Sequence, residues 1–105
     1  MDLPLERLEI REMASGDSSL LLSERVAWES FPAYAEAVSR LIGGSVVDRA
    51  DSPVERVWTI DVRGNLFWLA HDEIGVSLES KSGGSSSLIP LIQQALMNCR
   101  ARTAG

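Results

Sequence analysis

The chain has very few thiol, imidazole and amine side chains. It contains one cysteine (Cys99), one histidine (His71) and one lysine (Lys81) among 105 residues. A single cysteine cannot form an internal disulfide, and nothing else in the chain could complete a thiolate metal site. We therefore expect no metal and no other cofactor, and the cysteine usage is typical of a reducing compartment.

Long apolar runs and a basic N-terminal region are also missing. The longest uninterrupted apolar runs have about five residues, far below the roughly 20 that a membrane-spanning helix needs. Residues 1–7 include an acid and a proline and do not resemble a secretion signal. The sequence predicts a cytoplasmic protein with no membrane partner, and its preference for arginine over lysine favours a bacterial source.

Positive charge is in deficit. Ten Lys+Arg against fifteen Asp+Glu give a net charge of −5, which repels phosphate backbones and makes nucleic acid an unfavourable partner. The acidity would suit a basic protein partner, although it is also common among soluble proteins. Hydrophobic residues make up 45% and charged residues 24% of the chain, as expected for one folded domain over residues 1–105.

The first helix is predicted over residues 31–42. Ser30 is a suitable N-cap, Gly43-Gly44 supplies a stop, and Ser39 falls on the face predicted to meet water. The apolar residues share one stripe with a period of 3.6 residues, and they are Phe31, Tyr34, Ala35, Val38, Leu41 and Ile42.

A second helix is predicted near the C-terminus. Ser87 is a suitable cap, and Pro90 is tolerated in the first turn. A flexible linker over residues 81–86 precedes this helix, and the tail over residues 102–105 is expected to fray. The apolar stripe comprises Leu88, Leu91, Ile92, Ala95, Leu96 and Cys99.

The remaining segments show the two-residue period of strands. Leu8 and Ile10 alternate with charged residues, and a turn at residues 14–18 leads to a second strand around residues 20–22, which predicts an N-terminal hairpin. After the first helix, Val46-Val47 begins a short strand, and the Pro-containing segment 50–53 ends it.

Three consecutive strands follow, joined by tight turns. Trp58, Ile60 and Val62 share one face of the first strand, and Arg63-Gly64-Asn65 is a hairpin turn by residue type. Residues 66–70 form a strand that is apolar on both faces, residues 71–75 turn, and residues 76–79 alternate again. These segments predict an antiparallel meander.

The element order is therefore ββαββββα. Each helix has one apolar stripe to bury, and the meander offers one continuous apolar face, so both helices are expected on the same side of the sheet. The fold class is α+β, a two-layer sandwich in which the N-terminal hairpin extends the antiparallel meander.

The residues offer little catalytic chemistry. His71, Asp72 and Glu73 form the only cluster that combines an imidazole with carboxylates, but adjacent residues point in different directions, so a solvated hairpin turn is the simplest interpretation. Cys99 lies toward a helix C-terminus, whereas activated thiols are usual at a helix N-terminus or beside a cation, and no serine lies in a nucleophile elbow. Gly83-Gly84 precedes a helix but lacks the nucleotide-binding pattern. We predict no catalytic residue.

The tryptophans are the better candidates for a binding surface. Trp68 lies on the strand face opposite Phe67 and Leu69, so one of these two sets must point away from the helices, and Trp68 belongs either to a partner surface there or to a face that the N-terminal hairpin buries completely. Exposed aromatic patches mark interaction sites. Trp28 either covers the start of the first helix or lies beside this patch, and Leu66 shares a strand face with Trp68.

One segment of the meander resembles a known family. The resemblance lies in Trp58, Gly64, the pair Asp72-Glu73 and the end Leu78-Glu79. The segment is similar to a small proteobacterial family of about a hundred residues and unknown function. The resemblance implies a fold and no activity.

These observations favour a non-enzymatic interaction module. We expect it to bind a protein partner, or a second copy as a homodimer, through an apolar sheet face or a strand edge, with Trp28, Trp68 and Leu66 as candidate contacts. One alternative is an enzyme or small-ligand binder with a pocket between sheet and helices, rimmed by His71, Asp72 and Glu73. Another is an immunity or chaperone-like protein for a basic partner.

Overall fold

A six-stranded antiparallel sheet and two helices make up the computed structural model, which describes residues 3–12, 17–81 and 86–104. The element order confirms the predicted ββαββββα arrangement and the α+β class. The strands are β1 (Glu9–Glu12), β2 (Ser18–Ser23), β3 (Ser45–Asp51), β4 (Arg56–Val62), β5 (Asn65–His71) and β6 (Val76–Ser80), and the helices are α1 (Phe31–Leu41) and α2 (Ile89–Ala104). A single 3₁₀ turn precedes each helix, at Trp28–Ser30 and at Ser86–Leu88.

The strand order in the sheet is β1-β2-β6-β5-β4-β3. The meander β4-β5-β6 is present as predicted, and the N-terminal hairpin joins it through β2, which pairs with β6. As a result, β1 and β3 form the two edges, and the last strand in the sequence lies in the interior of the sheet.

Two tight turns set the register of the meander. Arg63 and Gly64, between β4 and β5, have φ values of 54° and 85°, and two consecutive left-handed residues form the turn that matches the strand twist. Between β5 and β6, Asp72 Oδ1 accepts hydrogen bonds from the backbone N–H groups of Ile74 (2.9 Å) and Gly75 (3.3 Å). The predicted hairpins are both confirmed.

One face of the sheet holds the hydrophobic core. Trp58, Ile60 and Val62 are buried together, as their alternation predicts, and both helices contribute to the same cluster. Both helices therefore cover the same face. Their fully or nearly buried residues are Phe31, Tyr34, Ala35 and Val38 from α1, and Ile89, Ile92 and Leu96 from α2.

The ends of α1 differ from the prediction. Ser30 is at the N-cap position, but it has helical backbone angles and its side chain makes no capping bond, because the 3₁₀ turn leads directly into the helix. Ser39, expected to meet water, is buried and its hydroxyl donates to the carbonyl of Glu36 (2.9 Å). Leu41, expected in the core, is 43% exposed.

The buried stripe of α2 is displaced from the predicted one. Leu91 is 67% exposed, whereas Ile89, which the prediction left out, is fully buried. The 3₁₀ turn moves the helix start to Ile89, so Ser87 does not hold the predicted cap position. Cys99 is half-buried.

Other predicted segments also differ in their bounds. β3 continues through Ala50 to Asp51 instead of ending at residue 50. β1 begins after Leu8, which is buried, and Ile10 is 38% exposed at the sheet edge. Helix α2 extends through Ala104, and the expected fraying of residues 102–105 stays a prediction. Residues 13–16 and 82–85, which carry most of the predicted first turn and linker, and residue 105 lie outside the described residues.

Candidate functional site

The sheet face that points away from the helices is called the outer face here. Strand alternation places Leu66, Trp68 and Ala70 of β5 on it, because Phe67 and Leu69 belong to the core. The cross-strand register adds Thr59 of β4 and Glu79 of β6, which lie on either side of Trp68. No described helix packs its buried residues against this face.

Trp68 is the large exposed side chain at the centre of the outer face. It is 36% exposed, although its neighbours Thr59 and Ala70 are buried. The ammonium nitrogen of Lys81 lies 5.7 Å from the centroid of the indole ring, which is within the range of a cation–π contact. Strand β2 pairs edge to edge with β6 and extends the sheet, so complete burial of Trp68 by the N-terminal hairpin is wrong.

Glu79 lies directly opposite Trp68 and has an unusual electrostatic environment. Partial burial of the carboxylate raises its pKa above the ordinary value, and repulsion from Glu55 and Asp72 raises it further. Within the part of the chain that the structure describes, no hydrogen bond and no ion pair reaches this carboxylate. The outer face therefore carries a half-buried negative charge without compensation.

The tips of two hairpins extend the acidic surface beyond the sheet. Val54 (78% exposed) and Ile74 (61% exposed) lie on the β3–β4 and β5–β6 connections. Together with Glu55, Asp72 and Glu73 they line a shallow depression of about 440 Å³. Asp72 and Glu73 thus belong to an apolar and acidic surface at the hairpin tips, and their role at the rim of a pocket between sheet and helices stays a prediction.

His71 is not in a solvated turn, which corrects the prediction. It is the last residue of β5 and is 4% exposed, because its position in the strand alternation places it on the core side with Phe67 and Leu69. Its ring lies between those of Trp28 (centroids 5.4 Å apart) and Phe31 (5.2 Å).

Burial has the largest effect on the pKa of His71. Burial lowers the pKa of the imidazole, and the nearby Arg56 lowers it further. A hydrogen bond to the backbone of Val26 and the charge of Asp72 act in the opposite direction. Among the described residues, His71 Nδ1 and Arg56 Nε are the buried side-chain nitrogens without a hydrogen-bond partner.

Trp28 lies on the opposite side of the sheet from Trp68. It packs on His71 at the start of α1, and the guanidinium of Arg56 lies 4.7 Å from its ring centroid. Of the three predicted contact residues, Leu66 and Trp68 therefore share the outer face, whereas Trp28 covers the helix start. The alternation of β5, extended to its last residue, indicates that His71 faces the core. Nothing in the sequence indicated which rings would pack on it.

A second apolar surface lies in the helix layer, and the sequence pattern did not predict it. Leu41, Leu91 and Ala95 help to line a depression of about 310 Å³ between the two helices and the β4–β5 turn. Both leucines were assigned to buried stripes by periodicity, which cannot indicate where a helix extends beyond the sheet that it covers.

Both strand edges are poor surfaces for pairing with another strand. β1 has only four residues, and three of them are charged: Glu9, Arg11 and Glu12. β3 contains a register shift between Val46 and Asp48. Short charged edges and bulges are the devices by which natural sheets prevent edge-to-edge association.

No group of three or more His, Cys, Asp and Glu side chains among the described residues could hold a metal ion. No helix in the same ranges is both long enough and apolar enough to cross a membrane.

Comparison with known proteins gives one match. The model of a family described as "Protein of unknown function (DUF3630)" matches residues 8–89, which is more than three quarters of the 105-residue chain. The matched segment contains all six described strands and α1. No curated protein and no solved structure gives a significant match.

Proposed function

Because this chain belongs to the DUF3630 family of proteins of unknown function, its role has to be inferred from its surfaces, and we propose that it is a non-enzymatic module that binds another protein. The binding surface in this proposal is the outer face around Trp68 and Leu66. The predicted bacterial source, proteobacterial distribution and cytoplasmic location stay predictions.

The observation that carries the proposal is the exposed indole of Trp68 on a sheet face without helices. Tryptophan is enriched among the residues that contribute most to binding energy in protein interfaces, and such residues lie near the centre of the contact area. Trp68 is flanked on the same strand face by Leu66 and Ala70. This surface can bury a large aromatic group on binding without any rearrangement of the core.

Binding through a strand edge has less support than binding through the outer face, because β1 and β3 both carry features that oppose strand addition. A catalytic pocket at His71 also has little support. The imidazole is enclosed by Trp28 and Phe31, and it is separated by the sheet from the surface on which Trp68 lies. The outer face is therefore the better candidate.

Site-specific photo-crosslinking in cells of the native host tests the proposal. A benzoylphenylalanine at position 66 is expected to crosslink a discrete protein, and the Trp68→Ala variant is expected to lose that product. The matched control places the same crosslinker at position 91, which is exposed on α2 and remote from the outer face.

Loss of the crosslinked product can be assigned to the missing indole only if Trp68→Ala stays folded. Because this side chain is partly exposed, we expect a loss of about 1–2 kcal/mol, against about 3–5 kcal/mol for the core change Trp58→Ala. Chemical denaturation measures both values. A core-sized loss for Trp68→Ala, or equal crosslinking from positions 66 and 91, would contradict the proposed surface.

A further inference from the structure

The chemistry of the outer face indicates which kind of partner it fits. Building on the proposed function, we infer that the partner is a basic polypeptide segment that places an arginine or lysine side chain between Trp68 and Glu79. A second copy of this chain is the competing occupant. Three features of the outer face support the basic segment.

The first feature is the uncompensated carboxylate of Glu79. Burial and the like charges of Glu55 and Asp72 both disfavour its ionised form. No described hydrogen bond or ion pair offsets them. A partner's cation would supply the missing opposite charge, and closing the interface over the pair would strengthen their attraction.

The second feature is the ring face of Trp68. Lys81 already places its ammonium nitrogen 5.7 Å from the ring centroid, so the ring is accessible to a cation from the solvent side. Lys81 is itself exposed and forms no ion pair with Glu79 at 4.0 Å or less. An arginine would fit better, because its planar guanidinium can stack on the indole while donating to a carboxylate.

The third feature is the sign of the surrounding charge. Strand register places four acidic residues on the outer face (Glu9, Asp48, Asp61 and Glu79), of which Glu9 is ion-paired with Arg7, and two further cationic residues (Arg11 and Lys81). The hairpin tips add Glu55, Asp72 and Glu73 beside the exposed Val54 and Ile74. A segment that alternates basic and apolar residues matches this surface, whereas two copies of the face would oppose carboxylates to carboxylates.

Titration of the full chain with two synthetic peptides tests the inference. The probe is an end-capped Leu-Arg-Leu-Arg-Leu peptide, and its control replaces both arginines by citrulline, which has nearly the same shape but no charge. The readout is the indole N–H resonance of Trp68, identified by its loss in Trp68→Phe. We expect the arginine peptide to shift this resonance saturably, with a Kd at least about tenfold lower than the citrulline peptide.

Two charge-matched variants locate the contact. Glu79→Gln is expected to weaken binding of the arginine peptide about tenfold, which corresponds to about 1.4 kcal/mol. Asp48→Asn removes the same charge from the same sheet face, three strands from Glu79, and is expected to change the Kd less than about twofold. Added salt is expected to weaken binding to the unmodified chain more than binding to Glu79→Gln.

The possible outcomes separate this inference from the proposed function. Equal affinity for the two peptides, or equal effects of Glu79→Gln and Asp48→Asn, would overturn the basic partner. A Trp68 resonance that moves with protein concentration, together with a dimer mass in sedimentation, would identify a second copy and also overturn it. If no peptide shifts Trp68, the basic partner fails, while crosslinking from position 66 still decides whether the face binds a protein.

Discussion

A single carboxylate, that of Glu79, gives the clearest prediction for stability. Its pKa is raised by burial and by two like charges, so the folded state holds the proton more strongly than the unfolded state. The stability that the protonated group contributes is present below the ordinary pKa of 4.5 and is lost as the pH rises through the folded value.

Glu79→Gln is therefore expected to raise the free energy of unfolding at neutral pH. The gain should remain below about 1 kcal/mol, because solvent screens a partly exposed group. Denaturant titrations at pH 4 and pH 7 measure it, and the advantage of the variant over the parent should be larger at pH 7. A variant that is less stable than the parent at pH 7 would show that Glu79 has a stabilising partner.

His71 has the opposite dependence on pH. Its folded pKa is lowered, chiefly by burial between the rings of Trp28 and Phe31. The contribution of the neutral ring is complete above the unfolded value of 6.5 and is lost as the pH falls toward the folded pKa. We expect the free energy of unfolding to decrease below pH 6.5, by at most about 1.4 kcal/mol per pH unit from this group.

His71→Phe keeps an aromatic ring in this position without a titrating group, so the decrease just below pH 6.5 should become shallower. His71→Ala should lower stability at every pH by about 2–4 kcal/mol, because it leaves a cavity beneath the helix start. Unfolding curves at several pH values measure both effects. An unchanged pH profile in His71→Phe would assign the dependence to other groups.

At the scale of the elements, features that depend on neighbouring residues were predictable from the sequence, whereas features that depend on tertiary contacts were not. The β4–β5 turn and the alternation of Trp58, Ile60 and Val62 are properties of neighbouring residues, and both were predicted correctly. The exposure of Leu41 and Leu91 depends on where each helix extends beyond the sheet, which is a tertiary property. Helical periodicity indicates the angle of a side chain around the axis, but not whether another element covers it.

Gly75 tests how the N-terminal hairpin is attached to the meander. A Cβ at this position would lie 2.4 Å from the carbonyl oxygen of Ser23 and 3.0 Å from the Cα of Glu24. These atoms belong to the backbone at the end of β2 and cannot move away as a flexible side chain would. We expect Gly75→Ala to cost more than about 2 kcal/mol and to loosen the β2–β6 pairing.

The control for this prediction is Gly43→Ala. Gly43 has a left-handed φ of 76°, and a Cβ there would meet nothing within 4 Å. Its expected cost is only about 1 kcal/mol, the conformational penalty of a left-handed alanine. Denaturation gives both energies, and amide hydrogen exchange of β2 reports the pairing. Equal costs and unchanged exchange would mean that the β5–β6 turn adapts to the methyl group.

For the whole molecule, the sequence predicted the two layers better than the order of the strands within the sheet. Both helices on one face followed from the number of apolar stripes, whereas the strand order required the β2–β6 pairing, which links residues far apart in the chain. The candidate site was predicted in part for the same reason. Trp68 and Leu66 share a strand, but their separation from Trp28 by the sheet is a consequence of the whole fold.

The last helix is fastened to the N-terminal segment by two hydrogen bonds. Gln93 Nε2 donates to the carbonyl of Leu8 (2.8 Å), and Arg100 Nη1 donates to the carbonyl of Leu5 (3.0 Å). Both leucines also belong to the core that α1 and β4 share. We therefore expect the described residues to unfold as one cooperative unit, so that loosening this contact destabilises the sheet as a whole.

Gln93→Ala is accordingly expected to lower the free energy of unfolding by about 1–2 kcal/mol, because a partly buried carbonyl loses its donor. The thermal transitions seen by circular dichroism and by tryptophan fluorescence should shift together. Gln94→Ala is the control, since Gln94 is exposed and bonds only to Asn98 on the same helix. Separate transitions would show that the hairpin and α2 unfold independently of the meander.

The pairing of β2 with β6 has a consequence for synthesis on the ribosome. Strand β2 leaves the exit tunnel some fifty residues before β6, with which it pairs, and the carbonyls of Leu5 and Leu8 are synthesised still longer before Arg100 and Gln93, which donate to them. The nascent chain must therefore keep the apolar residues of the β1–β2 hairpin soluble without their final neighbours. The charged residues interspersed among Leu5, Leu8 and Ile10 oppose aggregation of this segment until its final neighbours are synthesised.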